Sequence, residues 1–416
     1  MSTTAIINAR ILTMAAPSTH SGPRRGPELA MNNVIPKGWV SVAGDRITGL
    51  GFMDTPMNAS PDTVIDAQGR VVMPGLVDCH THGCWTGDRS DEFEARLAGT
   101  SYLDILAAGG GIMSTVRSVR NATRDELRDN LLLTLQRMAR LGVTSVEVKS
   151  GYGLEIESEL RMLRAIADAS EHTDQILVPT FLGAHALDAD ATNQDDAINH
   201  IIHEALPAVA QEFPGIACDA YCEEGAWSLD DCIRLFTKAQ ELGCPIRVHT
   251  DQFNSVGMTR KAVEMGARSV DHLEASTPED IAAIASSSTI GVLLPISGLC
   301  VDDRYAPGRE LIDQGAAVAI ASNSNPGSAQ SPSLPLAIAL ACRKCGLTPS
   351  EALTAATWNA ACVLGMENEI GSVEVGTRAD LIMLDSSDER ILALDIAHPG
   401  PIGVMLAGQW HDLNWR

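Results

Sequence analysis

Two histidines separated by one residue, His80 and His82, follow a short apolar run that opens with a Pro-Gly turn signal. The run at 76–77 is typical of a buried strand. On an extended chain, residues i and i+2 point to the same side. Both imidazoles therefore converge on one point, which is the geometry that a divalent metal ion requires.

Two more histidines end predicted strands further along the chain. His249 ends the strand predicted at 245–249, and His272 ends the next one. A lone histidine is usually a hydrogen-bonded core residue, but two at successive strand ends, downstream of a His-X-His pair, favour a shared site. His80, His82 and His249 would bind one divalent metal ion, zinc or alternatively iron, and would leave a position for water, whose pKa such an ion lowers toward neutrality. His272 would exchange protons and polarise a scissile carbonyl.

The elements that must position these histidines alternate along the middle of the chain. Strands are predicted at 76–77, 111–116, 144–149, 176–180, 217–221, 245–249, 269–272, 290–294 and 317–321. Helices are predicted at 123–140, which opens on a capping box of Thr123 and Glu126, and at about 157–169. Repeated βα units with buried strands favour a parallel barrel or a doubly wound sheet. The nine candidate strands exceed the eight places of a barrel by one, and the pattern does not identify the surplus strand.

Polar residues decide between the barrel and the open sheet, because they fall at or just past the carboxyl ends of predicted strands. They are Lys149, Glu223, Glu224, His249, His272 and Asn323. A (β/α)8 enzyme keeps its active site at that end. The predicted fold class is therefore α/β, with a TIM-like (β/α)8 barrel. No G-x-G-x-x-G or Walker sequence follows a strand, which argues against a nucleotide site.

Both ends of the chain have the texture of short strands joined by glycine turns. At the N-terminus, strands at 39–42 and 46–50 bracket an Ala-Gly-Asp turn, which is a hairpin signal. We expect a small β-sandwich domain built from residues 1–73 and 366–416, and a catalytic barrel over residues 74–365.

Composition limits the partners. Thirty Lys and Arg against 53 Asp and Glu give a net charge of −23, which argues against nucleic acid or an anionic membrane. A small anionic substrate is still allowed, because one local arginine can override the global field. No apolar run reaches transmembrane length. Ten cysteines without a secretory signal predict reduced thiols and a cytoplasmic location. We also expect a homodimer.

The block PGLVDCHTH at 74–82 resembles the first-strand motif of the amidohydrolase superfamily, which implies a metal-dependent hydrolase built on a (β/α)8 barrel. Five further blocks resemble the imidazolonepropionase family of that superfamily. They are GDRSDEF at 87–93, AGGGI at 108–112, VEVKSGYGL at 146–154, LGAHA at 182–186 and NPGS at 325–328. The match runs with few gaps from about 74 to 371. The family opens a five-membered imidazolone ring that carries a propionate tail, which is the third step of histidine breakdown, and yields N-formimino-glutamate.

The resemblance implies roles for specific residues. It places substrate contacts at Arg89, Tyr152, His185, Gln252, Asn325, Gly327 and Ser328, catalytic groups at His272, Gln252 and Asn323, and metal ligands at His80, His82, His249 and Asn323. A guanidinium can grip a propionate in a two-pronged bond, which suits Arg89. The alternative for Arg89 is a surface ion pair with Asp88 or Asp91, and the alternative for Tyr152 is a packed turn aromatic.

One departure concerns position 323, where the family carries an aspartate that ligates the metal and shuttles a proton. This chain has Asn323 instead. An amide offers an oxygen to a metal but cannot serve as a base. Three explanations stay open: an engineered replacement, a variant chemistry in which His272 is the sole base, and a non-catalytic binding protein.

Two further segments differ from the family, and both are expected to face the ring. Residues 83–85 (GCW) stand where larger aliphatic and aromatic residues are usual, and residues 296–300 (ISGLC) stand where aromatics are usual. An alternative substrate is therefore a 2-oxo- or 2-thioxo-imidazolidinone propionate, and the alternative reaction is the hydrolytic desulfurisation or deimination of such a sister ring. Lys149 has a structural or electrostatic role in our interpretation, rather than a metal-bridging one.

Overall fold

Two eight-stranded sheets organise the computed structural model, which describes residues 3–15, 22–57, 60–100 and 110–413. The strands are β1 (Thr3–Leu12), β2 (Val34–Ala43), β3 (Arg46–Phe52), β4 (Thr63–Asp66), β5 (Val71–Pro74), β6 (Leu76–Asp78), β7 (Val143–Lys149), β8 (Ile176–Ala184), β9 (Ala217–Cys222), β10 (Arg247–Thr250), β11 (Ser269–His272), β12 (Ile290–Leu293), β13 (Ala317–Ile320), β14 (Leu381–Met383), β15 (Gly403–Leu406) and β16 (Gln409–Asp412).

Helices separate the strands of the second sheet and also follow it. They are α1 (Ser90–Leu97), α2 (Ile112–Asn121), α3 (Arg124–Arg140), α4 (Ile156–Ser170), α5 (Gln194–His200), α6 (Leu206–Glu212), α7 (Leu229–Glu241), α8 (Met258–Glu264), α9 (Pro278–Ala285), α10 (Pro295–Val301), α11 (Gly308–Asp313), α12 (Leu334–Lys344), α13 (Pro349–Ala355), α14 (Trp358–Leu364) and α15 (Ile391–Leu394). A short 3-10 helix (Gly26–Ala30) precedes β2, and a π turn (Ile201–Ala205) joins α5 to α6.

Strands β6 to β13 pair in chain order, and every pair is parallel. Hydrogen bonds just past the strand ends join the last strand to the first: Asn323 N donates to His80 O at 3.1 Å, and His82 N donates to Ser324 O at 3.0 Å. The predicted (β/α)8 barrel is confirmed, and its closure brings the segment after β13 against the His-X-His pair.

The strand predicted at 111–116 is wrong, and it is the surplus candidate. Residues from Ile112 form α2 instead. Residues 108 and 109 of the AGGGI block at 108–112 lie outside the described residues. Met113, Val116 and Val119 are buried. Their spacing of three residues marks one face of a helix, whereas a strand would bury every second residue.

The helix predicted at 123–140 is confirmed as α3. Thr123 Oγ1 accepts from Glu126 N, and Glu126 reaches back to the Thr123 backbone N–H, so both halves of the capping box are present. The second predicted helix is confirmed as α4. Strands and helices together position the carboxyl ends of β6 to β13 around one opening.

The other sheet joins the two ends of the chain, as predicted for the small β domain. Its order is β16-β15-β14-β5-β1-β2-β3, and β4 pairs with β1. The predicted hairpin is present as β2 and β3, with its turn at Gly44 and Asp45. The division at 73/74 and 365/366 into separate domains stays a prediction.

Gly75 alone separates β5 of the terminal sheet from β6 of the barrel. A Cβ atom at this position would lie 2.2 Å from Thr144 Oγ1 of the neighbouring strand. The residue must therefore be glycine for the two strands to follow each other so closely. In the described part of the chain, no helix has the length and apolarity needed to cross a membrane.

Candidate active site

Four histidines meet at the carboxyl ends of the barrel strands. His80 and His82 follow β6, His249 is the third residue of β10, and His272 is the last residue of β11. None of the four is more than 3% exposed. The strand pairing of the barrel thus brings together imidazoles that are far apart in the chain.

Three of these imidazoles lie close enough to share one cation. One ligand atom each from His80, His82 and His249 can be chosen so that all lie within 4.8 Å of one another, and His82 Nε2 is 3.2 Å from His249 Nε2. His80 Nε2 is buried and has no hydrogen-bond partner. An orphaned buried nitrogen beside two nitrogens in contact is an arrangement that a bound divalent cation would satisfy.

Two carboxylates hold the outer nitrogens of these rings. Asp271 Oδ2 lies 2.6 Å from His80 Nδ1, and Asp219 Oδ1 lies 3.1 Å from His249 Nδ1. A carboxylate accepts a hydrogen bond from Nδ1–H, which keeps the proton on Nδ1 and leaves the Nε2 lone pair free for a metal. This arrangement is common around metal-ligating histidines.

A buried charge network lies behind the two carboxylates. It consists of Glu147, Lys149, Asp219, Arg247 and Asp271, whose side chains are all 2% exposed or less. Lys149 Nζ donates to Glu147 Oε1 at 2.6 Å and to Asp219 Oδ2 at 2.8 Å. Arg247 Nη2 donates to Asp271 Oδ2 at 2.7 Å. The Lys149 ammonium group is thus held between two carboxylates, in agreement with the structural or electrostatic role inferred from the sequence.

Asn323 follows β13 beside the histidines. Its backbone is left-handed, with φ of 54°, a conformation that asparagine adopts more readily than most residues. Its side chain is buried, and Oδ1 has no hydrogen-bond partner. The amide oxygen is therefore available to a ligand.

Tyr152 and His185 form an aromatic wall next to His82. The His185 ring stacks on His82 with centroids 4.8 Å apart and an interplanar angle of 21°, and the Tyr152 ring lies 5.1 Å from His185. Gly151 O lies 2.9 Å from His185 Nδ1. Since a carbonyl can only accept, Nδ1 carries the proton and Nε2 offers a lone pair.

The loop that carries Tyr152 is folded around a buried carboxylate that the sequence did not indicate. Glu159 accepts from the backbone N–H groups of Gly151, Gly153 and Leu154 at 2.7–2.9 Å. Burial raises the pKa of Glu159, although these hydrogen bonds oppose the shift.

Arg89 pairs with Glu92, a partner that neither sequence interpretation named. Its Nε and Nη2 donate to Glu92 Oε2 at 3.0 and 2.7 Å. The Nη1 edge faces Gly327, where an added Cβ atom would lie 2.8 Å from Nη1. Asp88 instead accepts from Ser90. The guanidinium therefore keeps one edge for another anion.

Asn325 is engaged within its own loop. Its Oδ1 accepts from the N–H groups of Gly327 and Ser328 at 2.8 and 2.7 Å, and its Nδ2 donates to Asn323 O and Ser328 Oγ. Its side chain thus shapes the loop at positions 325–328.

An open cavity of about 290 Å³ lies next to this loop. Trp85, Arg89, Phe93, Arg137 and Asn325 are among the residues that line it, whereas none of the four histidines does. The cavity extends the site on the side of Arg89.

Gln252 links three elements. Tyr221 on β9 donates from its hydroxyl to Gln252 Oε1 at 3.0 Å, and Gln252 Nε2 donates to Ser297 Oγ at 3.4 Å. Ser297 belongs to α10, which contains the segment that departs from the family. Cys84, by contrast, does not face the ring as predicted: its Sγ lies 3.8 Å from Met162 O on α4, because the thiol packs into the barrel wall.

Comparison with known proteins agrees with this site. Residues 71–411 match the Amidohydrolase family. Imidazolonepropionase from Herpetosiphon aurantiacus is 43% identical over 88% of each chain, and that from Rubrobacter xylanophilus is 42% identical over 93% of this chain and 94% of its own. The chain belongs to the imidazolonepropionase family. The predicted resemblance is confirmed, and with it the expectation of a metal-dependent hydrolase that acts on C–N bonds.

Solved structures with low identity share the fold. A 5-methylcytosine deaminase from Klebsiella pneumoniae superposes with a TM-score of 0.73 at 16% identity, over 98% of this chain and 96% of its own. An adenosine deaminase from Xanthomonas campestris with bound zinc gives 0.70 at 17% identity, over 98% of this chain and 92% of its own. The fold and the family, together with the histidine triad, make this a divalent-metal site.

Burial lowers the pKa of the three triad histidines and of His185, which favours the neutral form that metals bind. The pKa values of His80 and His82 lie well below their usual value because of burial, and the charge of Lys149 lowers that of His80 further. Burial also lowers the pKa of His249, although Asp219 opposes the shift. The pKa of His185 falls to about 3, mainly through burial.

Most of the buried charge network was missed from the sequence, although one signal was available. Residues two apart on a strand share a face, so Glu147 lies on the face of Lys149, and Arg247 lies on the face of His249. Nothing in the sequence indicated that Asp271 would meet His80, because their strands are not adjacent in the barrel.

Proposed function

We propose that this protein is a zinc-dependent imidazolonepropionase, which opens the five-membered ring of an imidazolone propionate. The observation that carries the proposal is the convergence of His80, His82 and His249, with Asp271 and Asp219 behind two of them, in a chain about 42% identical to imidazolonepropionases.

In the proposed reaction one water is added and one C–N bond is broken. The water oxygen bonds to the ring carbonyl carbon, which becomes a carboxylate, and the ring nitrogen takes a proton, so that the product is N-formimino-glutamate. When a divalent metal is bound at the triad, it supplies Lewis-acid chemistry at the scissile carbonyl.

The residues around the triad divide the remaining tasks. His272, whose ring centroid lies 6.1 Å from that of His80, takes the proton of the attacking water and returns it to the ring nitrogen. Asn323 contributes only its amide oxygen, because an amide cannot act as a base. Gln252 orients the ring. Arg89 receives the propionate on its free edge, next to Gly327 and Ser328.

Tyr152 and His185 bound the ring on the other side. His185 Nε2 accepts from a ring N–H, because Gly151 O holds the proton on Nδ1. Asn325 supports the pocket through its loop.

Metal content and turnover test the proposal together. We expect one zinc per chain by elemental analysis, formation of N-formimino-glutamate from imidazolone propionate, and loss of turnover after chelation that zinc restores. Iron in place of zinc at equal stoichiometry would correct the metal only. A metal-free chain with full turnover would refute the proposal.

A second candidate is supported by Asn323 and by the position of α10. Ser297 of α10 contacts Gln252, so the segment that departs from the family lies beside a predicted substrate residue. In this alternative, water attacks the C2 carbon of a 2-thioxo-imidazolidinone propionate and sulfide leaves, or it attacks C2 of the corresponding 2-imino ring and ammonia leaves; in both cases C2 becomes a carbonyl carbon. Sulfide release from a 2-thioxo ring, without turnover of imidazolone propionate, would favour this alternative.

A cytoplasmic location and a homodimeric assembly complete the proposal. Both come from the sequence. Light scattering coupled to size-exclusion chromatography tests the second, with a mass near twice 44.1 kDa as the expected result.

A further inference from the structure

Glu274 lies directly behind His272 because of an unusual turn at the end of β11. His272 and Leu273 both have left-handed backbones, with φ of 91° and 75°, which residues with a side chain rarely adopt. Backbone hydrogen bonds hold the turn: Leu273 N donates to Thr250 O at 3.3 Å, and Ala275 N donates to Asp251 O at 2.7 Å. Strained backbones of this kind cluster at functional sites.

The turn brings the Glu274 carboxylate against the imidazole of His272. Glu274 Oε1 lies 3.2 Å from His272 Nδ1, and the two side chains are only 5% and 3% exposed. Glu274 Oε2 is buried and has no hydrogen-bond partner. Among the described residues, His272 is therefore the one hydrogen-bond partner of this carboxylate.

The contact determines which nitrogen of His272 can act. An ionised carboxylate only accepts hydrogen bonds, so Nδ1 must carry the proton and Nε2 keeps its lone pair. The ring lies 5.7 Å from His249 and 6.1 Å from His80, centroid to centroid, and thus stands beside the metal site.

The asparagine at position 323 increases the importance of the contact between Glu274 and His272 for proton transfer. The side chain that follows β13 is an amide, which cannot take a proton from water. The base must then be another group, and an imidazole backed by a buried carboxylate is well suited because the carboxylate stabilises the imidazolium that forms.

We propose that Glu274 is a positioning residue that makes His272 the proton acceptor of this chain, in place of the carboxyl group absent at position 323. His272 Nε2 takes one proton from the attacking water and returns it to the leaving nitrogen, while Glu274 stays ionised and keeps the Nδ1 proton in place. The inference rests on the proposed function for its kinetic part only.

The tautomer of His272 tests the structural part without turnover. Nitrogen NMR of the zinc-loaded, ¹⁵N-histidine-labelled protein, with His272→Asn to assign the signals, should show His272 protonated on Nδ1. In Glu274→Gln the amide can donate as well as accept, so both tautomers should appear. Glu279→Gln, an exposed change in the first turn of α9, should leave the signals as they are. A proton on Nε2 in the unmodified protein, or no change in Glu274→Gln, would overturn the proposal.

Kinetics test the compensation for position 323. In the unmodified protein, Glu274→Gln should lower kcat by about 100-fold or more, with KM and zinc content changed less than about threefold. With Asn323→Asp in the background, a second base is present, and the same change should lower kcat by less than about tenfold. Equal losses in both backgrounds would overturn the compensation. Absence of turnover in every variant would refute the proposed function, and the tautomer would still decide the role of Glu274.

Discussion

The carboxylate of Asp271 connects the metal site to the buried charge network, and Asp271→Asn tests that connection. Asp271 Oδ2 lies 2.6 Å from His80 Nδ1 and 2.7 Å from Arg247 Nη2, and its side chain is 0% exposed. Asparagine keeps the shape but loses the charge. Its amide oxygen can still accept from both neighbours, but as an uncharged and therefore weaker acceptor.

The expected magnitude follows from these two contacts. Hydrogen bonds to charged groups contribute about 1.5–3 kcal/mol each, and breaking a buried ion pair costs about 3–5 kcal/mol. Arg247 keeps Glu147 and Cys79 O as partners, so we expect the free energy of unfolding to fall by about 3 kcal/mol. Loss of the orienting carboxylate should weaken metal binding by about 10–100-fold, which is about 1.4–2.8 kcal/mol.

Two measurements on the same variant separate the effects. Urea unfolding of the metal-free protein reports stability, and competition with a chromophoric chelator reports zinc affinity. Asp385→Asn is the matched control, because Asp385 pairs with Arg70 at 3.0 Å but is 67% exposed. It should change stability by less than about 0.5 kcal/mol and leave zinc affinity as it is. If Asp271→Asn binds zinc within about threefold of the unmodified protein, the carboxylate does not orient His80 and the proposed role of Asp271 is refuted.

Three further predictions concern catalysis, substrate binding and acid stability. Asn323→Asp should change kcat by less than about tenfold, because His272 already serves as the base, and a rise of about 100-fold or more would mean that the amide at position 323 limits the reaction. Arg89→Met should raise KM by about 10–100-fold with a smaller change in kcat, because a charge-assisted contact to the carboxylate is lost; Arg128→Met on the outer face of α3 is the control, and equal KM values would contradict the assigned role. The pKa of the buried histidines is lower in the folded state than in the unfolded state, so the unfolded state binds protons first as the pH falls. The contribution of these histidines to stability is therefore complete above about pH 6.5. It falls as the pH drops toward the folded pKa, which is about 3 for His185. Urea midpoints between pH 7.5 and 5.5 should therefore fall, equally in His172→Gln, and a flat profile would contradict the pKa shifts.

Much of the barrel was predictable because its strands carry local signals. Eight of the nine predicted strands are present, and several of them are short apolar runs with a polar residue at the carboxyl end, as at His249 and His272. The region from Ile112 misled because its β-branched residues suit a strand, whereas the spacing of the residues that pack inward is helical. Pattern length was the deciding factor: six residues do not separate a period of two from a period of three or four.

The sequence indicates those site residues whose side-chain type itself suggests the chemistry. It does not indicate residues whose role depends on contacts between strands. The histidines and Arg89 could be selected from their residue types and sequence context, and the positions of the histidines in the barrel follow from the strand order. The partners that tune them could not be selected in this way: Asp271 behind His80, Glu159 under the Tyr152 loop and Glu92 on Arg89 are ordinary acidic residues until the fold brings them into contact.

The single-residue link at Gly75 has a consequence for engineering. Because β5 runs into β6 with no slack between them, the terminal sheet acts as the anchor of the strand that carries His80 and His82. A designer who trims the chain to a bare catalytic cylinder would release that strand at its origin, and one who inserts a spacer at this link would shift the first two imidazoles along the axis. Any minimal scaffold cut from this protein should retain β5 and its pairing with β14.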